Sequence, residues 1–245
     1  MLVSIVTVCY NSESTVRTAI ESVLNQTYDK IEYLIIDGAS SDNTVAVAEE
    51  YREKFEARGY EYRIVSEKDN GIYDAMNKGI GMAKGEIIGL INSDDWYEPI
   101  AVETAVNTYK EEQYDLFYAD INIVKANGQV VVKKSKKDRL PTSRHWNHPT
   151  SFVTKKTYEE LGAFRCEGIH DDFDLFLRIR RAKKKIVIKN VVLANFRIGG
   201  TSNDKTLKKC VRRCKDRYRC YRNNKYSPLY FFECAAIEAA KFILS

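Results

Sequence analysis

The chain alternates between short apolar runs and amphipathic stretches at a steady cadence. Residues 2–9 are apolar and β-branched almost throughout, as expected of a strand covered on both faces. Asn11 and Ser12 follow as cap residues, and residues 14–24 then space Val16, Ile20, Val23 and Leu24 as on one face of a helix. The pattern repeats, with a second strand over 31–37, a turn at Gly38-Ala39-Ser40-Ser41, and a helix from Asp42 to about Phe55. A third strand is predicted over 60–66, a third helix over 72–83 and a fourth strand over 86–91. Strand and helix in alternation imply parallel strands joined by right-handed crossovers. The first hundred residues therefore predict a doubly wound α/β sheet of nucleotide-binding type.

The second half changes character. Residues 115–124 and 129–133 predict two strands around Asn127-Gly128, a dipeptide that favours a hairpin turn. Residues 134–150 form a polar, basic loop with Pro141, Trp146 and two histidines, placed where a lid would sit. Helices are predicted near 155–161 and 172–183, and a strand over 186–198 that ends in Gly199-Gly200-Thr201-Ser202. From residue 204 the chain reads as helical and basic, then as amphipathic from 229 to 244. There is no internal repeat.

Composition narrows the class. With 245 residues, 44% hydrophobic and 30% charged, the chain has room for one large α/β domain with an appendage, and disorder or collagen is excluded. No uninterrupted apolar run approaches the ~18 residues of a membrane span. The start lacks a basic leader and cleavage site, so the six cysteines are expected to be reduced thiols in a cytoplasmic protein. Charge is uneven: residues 1–100 hold 18 acidic and 9 basic side chains, while residues 101–245 hold 16 acidic and 30 basic. Ten of those bases fall between Lys205 and Lys225, against the single Asp216. An acidic half joined to a basic tail suggests two different partners.

In doubly wound sheets ligands bind beyond the carboxyl ends of the strands, and four polar segments fall there. Asn92-Ser93-Asp94-Asp95 puts two adjacent carboxylates at a strand tip, where burial is costly without a neutralising cation or ligand. Mg²⁺ and Mn²⁺ take one or two carboxylates together with substrate phosphates. Standing alone, the pair reads more readily as a helix-capping loop; its place in the βαβ series reverses that. Asp37 closes the second strand, where an acid can accept hydrogen bonds from a ribose or base. The first turn has no glycine in Cys9-Tyr10-Asn11-Ser12, so an NAD or FAD site is not expected. Asp69-Asn70-Gly71 precedes a helix carrying Asn77 and Lys78, whose N-terminus suits an anion as well as a simple cap. Asp171, Asp172 and Asp174 crowd one first turn, where the helix dipole favours acids and crowding raises a carboxyl pKa toward general-base use.

Several separate motifs occur in one order: Val6-Thr7-Val8-Cys9-Tyr10-Asn11, Asp37-Gly38-Ala39-Ser40-Ser41-Asp42, the segment from Glu67 to Gly79, Asn92-Ser93-Asp94-Asp95, His148-Pro149-Thr150-Ser151-Phe152, Leu161-Gly162-Ala163-Phe164, and the segment 171–178. Together, over residues 3 to about 203, they resemble a family 2 glycosyltransferase of the GT-A fold, of the non-processive bacterial surface-polysaccharide type. The resemblance implies an α/β/α sandwich with a mostly parallel central sheet over 1–203, a nucleotide-binding half (1–95), an acceptor-binding half (96–203) and a helical extension over 204–245. It implies that Asp37 and Asp69, with the chain around Thr7 and Tyr10, bind the nucleoside of a sugar nucleotide, with UDP favoured. Asp94 would meet the ribose or sugar, Asp95 a divalent metal (Mn²⁺ or Mg²⁺), and His148, Gly200 and Thr201 the phosphates or acceptor. Asp172 aligns with the family's catalytic base; Asp171 stands where a glutamate is usual, which leaves the choice between the two acids open. The Gln-x-x-Arg-Trp of processive synthases is absent, so single transfer to a glycan or lipid-linked acceptor is implied.

Two other readings are weighed. A nucleotidyltransferase would want basic residues near the start to grip a triphosphate, and residues 3–13 hold none. A non-catalytic protein could use residues 205–244 to meet a membrane or nucleic acid; an anionic membrane face is a better match than nucleic acid, and stands level with the plain alternative of a helix face packed on the domain. Cys210, Cys214 and Cys220 lack a paired spacing for zinc and read as packed thiols.

Overall fold

The computed structural model describes residues 1–142, 144–198 and 206–243. Strand β1 (Val3–Cys9) leads through α1 (Val16–Leu24) to β2 (Ile31–Asp37), then through α2 (Thr44–Glu49) and α3 (Arg52–Ala57) to β3 (Glu61–Ser66), and through α4 (Ile72–Met82) to β4 (Ile87–Asn92). These strands pair in the order β3-β2-β1-β4, all parallel. Successive side chains point to opposite faces. Val3, Ile5 and Cys9 join Val16, Ile20 and Phe55 on one side, and Val6 and Val8 join Ala75, Met76 and Ile80 on the other. Gly79 is what lets α4 lie so close to the sheet, because a methyl there would overlap the Val6 side chain.

The single helix expected over 42–55 is divided. α2 and α3 part at Glu50-Tyr51, where the Tyr51 ring enters the core and its hydroxyl donates to Glu21 at 2.6 Å. Between them Tyr51 N donates to the Ala48 carbonyl at 3.2 Å, three residues back, so the chain tightens there before α3 begins.

Beyond β4 come β5 (Trp96–Tyr97), α5 (Ala101–Glu112), β6 (Leu116–Val124), β7 (Val130–Lys133), β8 (Phe152–Thr154), α6 (Lys155–Leu161), α7 (Asp171–Arg181) and β9 (Ile186–Arg197). β6 and β7 form the expected hairpin, with Gly128 at φ +81° in the turn. β8 is an unexpected three-residue wedge, antiparallel to both β4 and β6, that joins the two halves of the sheet. β9 runs parallel to β6, and β5 pairs antiparallel near the end of β9. The result is a mostly parallel sheet with helices on both faces.

Helices α8 (Leu207–Asn223) and α9 (Tyr230–Ile243) follow. α8 packs on α7: Cys220 and Tyr221 are buried in the same core as Phe173 and Phe176, and the Tyr221 ring meets Phe173 edge-on at 5.3 Å. Asn224 Nδ2 donates to Asp174 at 2.7 Å. The extension is thus part of the second core, and Cys210, Cys220 and Cys234 pack as buried thiols. The described residues of 134–150 are also held, by Arg180 donating to the Asp138 carbonyl (2.9 Å), by Tyr221 donating to the Pro141 carbonyl (3.0 Å), and by Trp146 stacked on Phe176 at 4.9 Å.

Candidate active site

The loops after β1 and β2 interlock at the carboxyl edge of the sheet. Asn11 N donates to Ser40 Oγ (2.8 Å), Ser41 N to Asn11 Oδ1 (2.9 Å) and Ser12 N to Thr44 Oγ1 (2.7 Å). Asn11 and Ala39 both hold left-handed backbone, φ +48° and +60°, a conformation that bonding on this scale must stabilise. Asp37 is the centre of the lock. It is wholly buried and accepts from Ser40 N at 2.9 Å, from Ser40 Oγ, and from Ser66 Oγ at 2.6 Å. Its carboxylate therefore shapes the loop. Thr7 is likewise internal: its backbone pairs with both neighbouring strands and its hydroxyl accepts from Tyr33.

Asp69 stands differently. Its Oδ1 accepts from Gly71 N at 2.8 Å and holds the turn into α4. Its Oδ2 makes no hydrogen bond among the described residues and lies over Gly38, where an added methyl would come within 2.5 Å of that oxygen and 3.4 Å of the Tyr10 ring. Tyr10 is 65% exposed. A bare aromatic face, an uncommitted carboxylate oxygen and a glycine floor thus meet at one place, which suits a planar ring with donors on its edge.

At the end of β4 the acid pair is set into the sheet. Asp95 is fully buried; its Oδ1 accepts from Arg197 N at 3.1 Å and its Oδ2 from Asn92 Nδ2 at 3.4 Å. Burial and the neighbouring Asp94 push the Asp95 carboxyl up to about 8. Burial also raises Asp94, opposed by Arg197, whose guanidinium lies 5.2 Å over the Trp96 ring.

The first turn of α7 sorts its three acids by direction. Asp171 is buried, accepts from Glu167 N (2.6 Å) and Gly168 N (3.3 Å), and faces Arg219 of α8 at 3.5 Å. Asp174 is buried between Arg178 (3.0 Å), Arg165 (3.3 Å) and Asn224. Only Asp172 turns outward. Its Oδ1 accepts from the Tyr73 hydroxyl at 2.9 Å and from Phe173 N at 2.8 Å, and its Oδ2 makes no hydrogen bond among the described residues. Burial, and next to it Asp172, push the Tyr73 hydroxyl well above its ordinary range, so it serves as a donor. Asp172 borders a cleft of about 320 Å³ walled by Trp146, His148, His170, Phe173 and Phe196. Burial pushes the His148 imidazole down, opposed by Asp172, which favours the neutral ring. Tyr73 is the second residue of α4, four positions after Asp69, so the start of this helix links the two regions.

The glycosyl transferase family 2 model matches residues 4–177. The chain belongs to glycosyltransferase family 2. Among its relatives, the putative glycosyltransferase EpsH of Bacillus subtilis is 39% identical over 110 residues, which is 45% of this chain and 31% of EpsH. The chondroitin synthase of Pasteurella multocida is 29% identical over 189 residues, 75% of this chain and 19% of the synthase. The chain thus spans under a third of these curated relatives. Solved structures share the fold at low identity. Staphylococcus aureus TarS 1–349 in complex with UDP-GlcNAc superposes with a TM-score of 0.71 at 17% identity, over 98% of this chain and 72% of that one. The mannosyltransferase PcManGT of Pyrobaculum calidifontis, in complex with GDP-Man and Mn²⁺, gives 0.70 at 17%, over 98% and 70%. The architecture is accordingly the GT-A fold.

In this family 2 glycosyltransferase the donor atoms at the β4 edge fit a hard divalent cation. Asp94 and Asp95 offer carboxylate oxygens, and Asn92 Oδ1 is buried with no hydrogen-bond partner, as an oxygen reserved for a cation would be. Among the described residues no group of three or more His, Cys, Asp or Glu side chains converges, so such an ion would need oxygens from a phosphate-bearing ligand as well. Gly200 and Thr201 lie outside the described residues. Arg197, just before Gly199-Gly200, carried no signal in the sequence; Asn92 and Tyr73 stood inside the 92–95 and 67–79 motifs, but nothing there assigned them a role of their own.

Proposed function

We propose that this family 2 glycosyltransferase moves one sugar from a nucleotide-sugar donor, a UDP-sugar, to a hydroxyl of a glycan or lipid-linked acceptor in surface-polysaccharide assembly. The nucleoside lies on Tyr10 over Gly38 and donates to Asp69 Oδ2, while Asp37 holds the loop beneath it. Asp95, Asp94 and Asn92 hold a divalent ion, which when bound supplies positive charge to the donor's diphosphate. Arg197 adds a second cation on that side. The solved relatives bound to UDP-GlcNAc and to GDP-Man with Mn²⁺ support a donor of this chemical class.

The observation that carries the reading is Asp172: a carboxylate oriented by Tyr73, with one oxygen left for a substrate, at the mouth of an aromatic-walled cleft. An acceptor hydroxyl in that cleft gives its proton to Asp172 Oδ2 as its oxygen bonds to the anomeric carbon. The bond from that carbon to the diphosphate oxygen breaks and its electron pair leaves with the nucleoside diphosphate. One displacement from the opposite face inverts the anomeric configuration. Asp171 and Asp174, both committed to internal partners, are not the base. Asp172→Asn is expected to lower transfer by about 10²- to 10⁴-fold with donor affinity within a factor of about two of wild type; turnover at the wild-type rate would remove Asp172 from the role.

A further inference from the structure

The two C-terminal helices present a surface that sugar transfer does not use. α9 is apolar on nearly every side. Cys234 is buried and the Tyr230 ring stacks on Tyr221 at 4.3 Å, yet Leu229 and Phe232 are 70% and 69% exposed, and Phe231 and Phe242 stand in solvent as well. Ala236, Ala239 and Ala240 are exposed between them. A helix apolar all round is ordinarily covered.

The charges around this face have one sign. Each carboxylate of the hairpin among the described residues has an internal partner: Glu238 pairs with Arg213 at 2.7 Å, Glu233 accepts from the Tyr221 hydroxyl at 3.1 Å, and Asp216 faces Arg219 at 3.4 Å. Lys208, Lys209, Arg212, Lys215, Arg222 and Lys225 are all exposed. The two features adjoin, because Phe231 of α9 rests edge-on against Tyr218 of α8 at 5.6 Å, and exposed Val211 lies two turns along α8 from that tyrosine.

We propose that this hairpin docks on an anionic lipid bilayer, with Leu229, Phe231, Phe232 and Phe242 at the acyl boundary and the bases of α8 among the headgroups. An amphipathic helix with a basic flank lies in a membrane interface in this way, and no described helix is long and apolar enough to cross one. A second copy is a poorer occupant, since a two-fold interface would set this positive surface against itself. A nucleic acid could meet the bases and stack on the phenylalanines but would leave Leu229 and the alanine stripe in water, where an acyl boundary covers them. The proposal is independent of the transferase reading.

The test is sedimentation of the full chain with vesicles of phosphatidylcholine alone and of phosphatidylcholine with phosphatidylglycerol. Binding is expected only to the anionic vesicles, and it should weaken as salt rises. Replacing Lys208, Arg212 and Lys215 with alanine should weaken partitioning about 100-fold, at roughly a factor of five for each base near the surface. Phe231→Ser with Phe232→Ser should remove binding while circular dichroism stays unchanged. Equal binding to both vesicle types, or to neither, overturns the proposal. So does a dimer dispersed by the same two serines, or single-stranded RNA binding that survives them and exceeds the vesicle affinity.

Discussion

Alanine at Gly38 isolates the contribution of Asp69 while leaving Asp94, Asp95 and Asp172 in place. Gly38 is not in left-handed backbone, so an alanine fits the main chain; its methyl, however, would stand 2.5 Å from Asp69 Oδ2 and 3.3 Å from Cγ, closer than ordinary contact. The movable group is the carboxylate, which must swing out and give up its 2.8 Å bond from Gly71 N. That loss costs about 1 kcal/mol of stability, a fall of roughly 2–4 °C in Tm for a chain of this size. The same swing withdraws the oxygen offered to the nucleoside. A hydrogen bond to a charged acceptor contributes about 1.5–3 kcal/mol, so Kd for the nucleoside diphosphate should rise about 10- to 100-fold. Titration calorimetry in the presence of Mn²⁺, paired with a thermal melt, reads both quantities. A folded Gly38→Ala variant with Kd within a factor of about two of wild type would show that Asp69 does not touch the nucleoside.

Tyr73→Phe removes the 2.9 Å donor to Asp172 and should lower kcat about tenfold, the rate equivalent of ~1.4 kcal/mol, with donor Kd unchanged by calorimetry. Asp174→Ala leaves Arg178 buried without its carboxylate partner and should cost about 3–5 kcal/mol in urea unfolding, in contrast to Asp172→Asn, which should unfold like wild type. For Asp95 the folded pKa, about 8, lies above the unfolded carboxylate value. Its burial therefore opposes folding increasingly as pH rises from about 4, and fully above the folded value. Asp95→Asn should accordingly raise Tm of the metal-free protein more at about pH 9 than at about pH 5. Mn²⁺ needs the ionised form, so binding should release a proton and tighten as pH rises toward 8, as calorimetry in two buffers of different ionisation enthalpy would show.

What could be read in the chain depended on how local the cause was. β2 was expected at residues 31–37 and is found as Ile31–Asp37, because two-sided burial leaves an unbroken apolar run bounded by turn residues. The hairpin of β6 and β7 was legible from Asn127-Gly128, a dipeptide whose turn preference is local. β8 was not: its three residues carry no period, and only the gap between β4 and β6 makes them a strand. The break between α2 and α3, where Tyr51 N bonds three residues back to Ala48, likewise leaves no mark in the apolar period. In the site, residue types and order were visible but directions were not. Asp37, Asp69, Asp171, Asp172 and Asp174 are alike as letters; the fold saturates Asp37, opens Asp69 over Gly38, and buries two of the three acids of α7. Arg197 reaches the acid pair from a strand 102 residues away, a proximity with no trace in local sequence. The basic tail read equally as a packed helix and as a membrane surface, and α8 has one face packed on the domain and another that is exposed and basic.

We place a cation-assisted nucleotide-sugar site at the ends of β1, β2 and β4. Calorimetric titration of UDP, GDP and dTDP, each with Mn²⁺ and again with EDTA, tests it most directly. One nucleotide, UDP by our reading, should bind only with the metal, and Asp95→Ala should abolish the heat. Failure of all three to bind folded protein under either condition would contradict it.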